Sequence, residues 1–184
     1  MTPATPYRAM AYNNAWANHR LLTACLALTD AEFGAPRTGF FPSLERTLNH
    51  ILIVDHFYVD ALEGGTLGYR AFEDETPCVT VADLLPAQAA GDARLIAGCD
   101  GLTGEALEAD VQVSRGARTQ IERCDRLLLH LFQHQIHHRG QAHAMLSAVL
   151  QPPQLDEFFS VGEAPLRAAE FEALGWTEQR IWGP

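Results

Sequence analysis

The feature that most constrains the fold is a long stretch from Asp125 to Leu150 that no proline interrupts. Its apolar residues recur at helical spacing, which predicts a long amphipathic helix. Pro152 and Pro153 follow and end it, because proline cannot continue a helix. Five of the eight histidines of the chain lie in this stretch, and four of them lie within the run LLLHLFQHQIHHRGQ.

Two of these histidines share one face of the predicted helix. His134 and His138 are four residues apart, so their side chains lie about 40° apart around the axis. Leu127, Leu131 and Met145 continue the same stripe, and we therefore expect this face to point into the protein. Burying an imidazole without a partner costs about 1–3 kcal/mol, and a shared divalent metal ion would satisfy both rings. The alternative is a pair of core histidines satisfied by neighbouring carbonyl groups or glutamates.

A third histidine lies on another predicted helix. His50 belongs to an apolar stripe with Val54 and Phe57, so it also occupies an inward-looking position. Metal binding by His50 would tie two helices to one ion. His130 extends the stripe of His134 by four residues and is an alternative ligand from the residues alone, whereas His137 lies at its edge.

Three further helices are expected. The predicted bundle helices span about 7–28, 43–63, 80–99 and 125–150, with Ser43 and Thr80 as N-caps. Pro86 lies early in the third helix, and a start a few residues later is the alternative. Residues 110–122 alternate weakly around Arg115-Gly116, which predicts a short β-hairpin before the last bundle helix. The fold class is therefore all-α, a four-helix bundle in one domain over 1–184, with a C-terminal tail over 151–184 that contains a short helix at 165–174.

Composition excludes several classes of function. The formal net charge is −10 and the 13 basic residues are scattered, so we expect neither a nucleic-acid partner nor an anionic membrane surface. The sequence has no apolar run of about 20 residues and no signal-peptide pattern, so we expect a cytoplasmic protein. The four cysteines form no CxxC pair, and we expect free, buried thiols.

Three segments carry a resemblance to a known family. AYNNAWANHRLL, NHILIVDHFYVDAL and LLLHLFQHQIHHRGQ resemble the DinB/YfiT-like superfamily over most of residues 7–150, and HxxHHRGQ is the most specific part. The later DEFFSV resembles the region after the last bundle helix more weakly. The resemblance implies a four-helix bundle, commonly a homodimer, with His50, His134 and His138 as metal ligands and with His130 and His137 outside the ligand set.

The resemblance also implies a class of chemistry. Three neutral histidines leave coordination positions open, as in catalytic metal sites, and imidazole ligands suit zinc or nickel. Characterised relatives include S-transferases that use low-molecular-weight bacterial thiols, and mycothiol-dependent maleylpyruvate isomerase. We therefore expect a metal-dependent enzyme of the thiol S-transferase or hydrolase type that acts on a small molecule. The alternatives are a non-catalytic module that binds or senses a metal, and an interaction protein that binds none.

No carboxylate stands out as a general base. Asp55 points away from His50 by about 140° on the same helix. Candidate contacts to substrate or to the metal ligands are Gln141 and Asn14, together with Asn13 and, in the tail, Asp156. Capping or surface roles are the alternative for these side chains.

Overall fold

The computed structural model describes residues 2–183, and they are mostly helical. The helices are α1 Thr5–Cys25, α2 Asp30–Phe33, α3 Leu44–Leu62, α4 Val81–Asp100, α5 Gly104–Glu108, α6 Cys124–Leu146, α7 Ala164–Ala173 and α8 Glu178–Trp182. The strands are β1 Asp110–Ser114 and β2 Thr119–Arg123, and short 3₁₀ turns lie at Gly68–Phe72, Glu157–Phe159 and Val161–Glu163.

The four long helices form a bundle, as predicted. Helix α1 packs against α4 and α6, and α3 packs against the same two helices. The apolar core between them falls into two clusters. Tyr12, Trp16 and Phe57 belong to one cluster, and Leu21 and Leu44 belong to the other.

The helix bounds differ from the predicted ones for local reasons. Helix α1 begins at Thr5 because Pro6 fits the first helical turn, where its missing N–H is not needed. Helix α6 ends at Leu146, four residues before the predicted end, and Val149 is exposed. Leu150 is only partly buried against the core before Pro152 ends the segment.

The third bundle helix begins at the predicted position and not a few residues later. Helix α4 begins at Val81, and Pro86 lies inside it. Thr80 caps the helix by accepting a hydrogen bond from the backbone N–H of Asp83 at 3.1 Å. Val81 and Leu84 are buried. The cap and this burial offset the hydrogen bond that Pro86 cannot donate.

The predicted hairpin is confirmed. Strands β1 and β2 pair in antiparallel register, with Gln112 opposite Ile121. The backbone N–H of Arg115 donates to the carbonyl of Arg118 at 2.8 Å, and Gly116 adopts the positive φ that the turn requires. Helix α6 follows β2 directly.

The C-terminal tail packs on the first helix. Trp16 donates from Nε1 to Glu170 on α7 at 2.6 Å, and its ring centroid lies 5.7 Å from that of Phe158. Helix α7 lies within one residue of the prediction at each end, whereas α2, α5 and α8 were not predicted.

Two further expectations concern the whole chain. All four cysteines are free and buried, as predicted. Among residues 2–183, no helix is both long enough and apolar enough to cross a membrane.

Candidate metal centre

Helices α3 and α6 bring three histidines together. One ligand atom from each of His50, His134 and His138 lies within 4.8 Å of the others. The Nε2 atoms of His50 and His134 are 3.0 Å apart. The ring centroid of His138 lies 4.7 Å from that of His50 and 4.4 Å from that of His134. This arrangement could hold one metal ion.

Gln141 fixes the orientation of one of these imidazoles. The Nδ1 atom of His138 lies 2.9 Å from Oε1 of Gln141, and Nε2 of Gln141 lies 3.1 Å from Nε2 of His137. An amide oxygen can only accept, so Nδ1 of His138 carries the proton. The Nε2 lone pair of His138 is then free to bind an ion.

The protein does not satisfy His134 completely. Its Nδ1 atom is buried, and no group in the described part of the chain forms a hydrogen bond with it. The Nε2 atoms of His50 and His134 face each other. When both rings are neutral, at most one of these two atoms can donate a hydrogen bond to the other. Imidazole nitrogens that lack hydrogen-bond partners within the protein fit a site for a ligand from outside the chain.

Burial keeps the cluster uncharged. Burial, with His138 as the second cause, lowers the pKa of His50 to about 4. Burial, with His138 and His50 as further causes, lowers the pKa of His134 to about 3. Burial lowers the pKa of His138 as well. All three rings are neutral at neutral pH, which is the state that binds a metal ion.

Aromatic side chains and a small cavity adjoin the cluster. The ring centroid of Phe41 lies 4.5 Å from that of His50 and 5.6 Å from that of His138. A cavity of about 70 Å³ lies beside His50. Its wall also contains Phe41, Arg46, Ile53, Phe72 and Glu75.

The cluster lies at the edge of the bundle core, on the stripe of α6 that was predicted to face inward. His50 and His134 are half-buried, and only His138 is buried. The residues of α6 that point to the centre form the neighbouring stripe. These residues are Leu128, Phe132, Gln135, Arg139, Ala142 and Leu146.

Comparison with known proteins decides the family. A model of the DinB family matches residues 2–161. The chain belongs to the DinB family. The DinB match contains α1 to α6 and therefore all three histidines of the cluster. No curated protein matches the chain.

The other candidate residues of this DinB protein lie outside the cluster. His130 is exposed, and its ring packs 5.4 Å from Tyr58, whereas its centroid is 6.4 Å from that of His134. His137 is exposed and contacts Gln141. Asn14 belongs to a separate buried network.

That network fills the middle of the DinB bundle and was not predicted. It joins side chains from all four long helices, each at least nine-tenths buried: Asn14, Asn18, Asp55, Gln88, Asp92, Gln135 and Arg139. Asp92 accepts from Asn14 and Asn18 at 2.9 Å each, and Asp55 accepts from Gln88 at 2.6 Å. The sequence pattern that could have indicated this network is the 4-3-4-3-4 spacing of the α6 stripe that contains Gln135 and Arg139.

Burial controls the charge of this network. Burial raises the pKa of Asp55 to about 6. Burial, with the nearby Asp55 carboxylate as a second cause, raises the pKa of Asp92 to about 8. Burial lowers the pKa of Arg139 to about 10, against the opposing effect of the two carboxylates. Arg139 therefore stays charged at neutral pH.

Proposed function

We propose that His50, His134 and His138 bind one divalent metal ion, zinc or nickel, and that the chain is a metal-dependent enzyme acting on a small molecule. The observation that carries the proposal is the convergence of three neutral imidazole nitrogens within 4.8 Å at the edge of the bundle. Imidazole nitrogen suits both metals. Three protein ligands leave coordination positions for water or substrate.

The chain's own residues have distinct roles in this proposal. Gln141 accepts the Nδ1 proton of His138 and orients the ring, so that the Nε2 lone pair faces the cluster. Phe41 covers His50 and His138 and excludes water from that side. A divalent ion held there would lower the pKa of a bound water to about 7 or bind a thiol as thiolate.

The cavity beside His50 supports a small substrate. At about 70 Å³ it has room for only a small group. Phe41, Ile53 and Phe72 give it apolar walls. Arg46 adds a charge at one wall, where it forms an ion pair with Glu75 and donates to Thr76 at 2.8 Å. A low-molecular-weight thiol as cosubstrate fits the open coordination positions, and the reaction is S-transfer or hydrolysis.

Cobalt substitution tests this function directly. Four-coordinate Co²⁺ has visible absorption bands, and a thiolate bound to it adds a charge-transfer band in the near ultraviolet. We expect mercaptoethanol to produce this band in the cobalt-loaded protein. We also expect the reaction of mercaptoethanol with chlorodinitrobenzene to be faster in the presence of this protein than without it. The matched control is His134→Ala, which should show neither effect. A cobalt spectrum that does not change with thiol would contradict the S-transferase proposal.

One observation favours a second candidate function. His50 lies on α3, whereas His134 and His138 lie on α6, so an ion would cross-link two helices of the bundle. A non-catalytic module that binds or senses metal would use this cross-link alone. In the cobalt experiment, a module of this kind would have no open coordination position, and its absorption spectrum would not change with thiol or other small ligands.

A further inference from the structure

A second cavity lies on the other flank of α6. It has a volume of about 440 Å³ and lies between α1, α6 and the tail. Its wall contains Ile136, Arg139 and Gly140 of α6. Ile136 and Gly140 are about 120–160° around the helix from His134. The cavity is thus separate from the histidine cluster, and its size is in the range of small-molecule sites.

A buried arginine contributes to this cavity. Arg139 is only 4% exposed, and its Nη1 donates to the side-chain oxygens of Asn14 and Asn18. Within residues 2–183, its Nε and Nη2 form no hydrogen bond, and no carboxylate forms an ion pair with it. Arginine is rarely buried without a paired anion. Because Nη1 is used inside the bundle, the remaining donors are left for the cavity.

A second buried polar side chain lines the same cavity. Asn13 is 7% exposed. Its side-chain amide has no hydrogen-bond partner among the residues that the structure describes. The free polar atoms of Asn13 and Arg139 are not among the fully buried atoms of the described residues, so they open onto the cavity, where they can bind a polar ligand.

We propose that this cavity binds a small organic carboxylate. The carboxylate accepts from Nε and Nη2 of Arg139 in a two-pronged contact and from the amide of Asn13. The apolar body packs against Ile136, Leu155 and Phe159, which also line the cavity. This site is independent of the proposed metal enzyme function and does not require an ion at the histidine cluster.

The nearby acidic groups are compatible with this ligand. Asp55 and Asp92 already accept hydrogen bonds from amides inside the bundle. Neither of them contacts Arg139 directly, since Asn14 and Asn18 lie between Arg139 and Asp92. Asp156 is exposed at the cavity and is the one carboxylate in its wall.

The test uses benzoate as the probe and benzamide as its uncharged match. Binding is followed by NMR on the ¹⁵N-labelled full chain, including the side-chain Nε–H of Arg139. We expect benzoate to shift the signals of Arg139, Gly140 and Asn13 in a saturable way. Benzamide should bind at least tenfold more weakly, because it lacks the charge that pairs with Arg139.

Gly140→Leu blocks the cavity without disturbing the fold. A side chain at Gly140 meets open space, and glycine is not needed there for helical backbone. The matched control is Gly98→Leu on α4, which also meets open space but lies outside this cavity. We expect Gly140→Leu to abolish benzoate binding and Gly98→Leu to leave it unchanged. Asn13→Ala should weaken it about tenfold, the effect of one hydrogen bond to a charged group.

Four results would overturn the proposal. They are the absence of saturable benzoate binding at low-millimolar concentration, equal binding of benzamide, benzoate binding that survives Gly140→Leu, and shifts confined to His50 and His134. The variant His134→Ala separates the two sites. It should bind benzoate as the wild type does, whereas benzoate bound at a metal ion would be lost.

Discussion

The Nδ1 atom of His138 and the Oε1 atom of Gln141 are 2.9 Å apart on consecutive turns of α6. This contact determines which nitrogen of His138 can bind a metal ion, because the amide oxygen accepts the proton of Nδ1. The side-chain oxygen of Gln141 is occupied by this contact with His138. Gln141 acts by fixing the orientation of the His138 ring and by raising the basicity of that ring.

Gln141→Leu should therefore weaken metal binding without removing a ligand. We expect the affinity for zinc to fall by about tenfold or more, as is typical when the partner of a ligating histidine is lost. Competition with a chromophoric chelator measures this change. The matched control is Gln133→Leu, an exposed glutamine on the same helix, which should keep the wild-type affinity. Equal affinities in the two variants would contradict the role of Gln141.

The sequence predicted the histidine cluster and the inward-facing stripe of α6 that carries it, but not the stripe that is buried most completely. Two stripes with 4-3 spacing run along α6 one residue apart. One contains His134 and His138, and the other contains Gln135 and Arg139. Both stripes combine apolar and polar residues, so periodicity alone does not decide which one lies deeper in the core. Packing of four helices buries Leu131 and His138 on the first stripe but leaves His134 half-buried, whereas the stripe through Gln135 and Arg139 is buried along its length.

The buried polar network was unpredictable for a related reason. Asp55, Asp92 and Arg139 are residue types that normally face solvent. Their burial depends on amide partners from other helices, such as Asn18 and Gln88. Such pairings join residues distant in sequence, which the spacing within one helix cannot show. The four long helices and the hairpin were predictable because their caps, breakers and periodicity are local.

Removal of the metal should destabilise the bundle. An ion at the cluster would join α3 to α6, and an ion that binds only the folded state stabilises it by mass action. At a free concentration of zinc about 100 times its Kd, this contribution is about 2.7 kcal/mol. Urea unfolding with zinc and with chelator measures it. His50→Ala is the control, and we expect its stability to be the same under both conditions.

Burial of Asp92 should make stability depend on pH. Burial, with Asp55 as a second cause, raises the pKa of Asp92 from an ordinary value near 3.8 to about 8. Between these values the unfolded chain has lost this proton and the folded chain keeps it. The contribution of Asp92 to stability is thus complete below about pH 4 and is lost as the pH rises toward about 8.

The variant Asp92→Asn isolates this effect. From about pH 5 to about pH 8, its free energy of unfolding should fall less than that of the wild type, because it has no proton to lose. Urea unfolding of both proteins in metal-free form provides the comparison. The same pH dependence in both proteins would show that the titration of Asp92 makes no contribution.

Asn49 should hold the segment beside the cluster in place. It is fully buried, its side-chain nitrogen donates to the carbonyl of Cys78 at 2.7 Å, and its oxygen accepts from the N–H of Cys78 at 2.9 Å. Asn49→Leu leaves both backbone groups unpaired and should lower the free energy of unfolding by about 3 kcal/mol. Urea unfolding measures this loss, and a free energy of unfolding equal to that of the wild type would contradict this assignment.

The central claim is that three histidines bind one metal ion, and elemental analysis of the untagged protein tests it most directly. We predict about one zinc or nickel ion per chain in the wild type and a loss of that ion in both His50→Ala and His138→Ala. His19→Ala changes an exposed histidine outside the cluster and should retain the ion. Full occupancy in the cluster variants, or no ion in the wild type after supplementation with zinc and nickel, would contradict the claim.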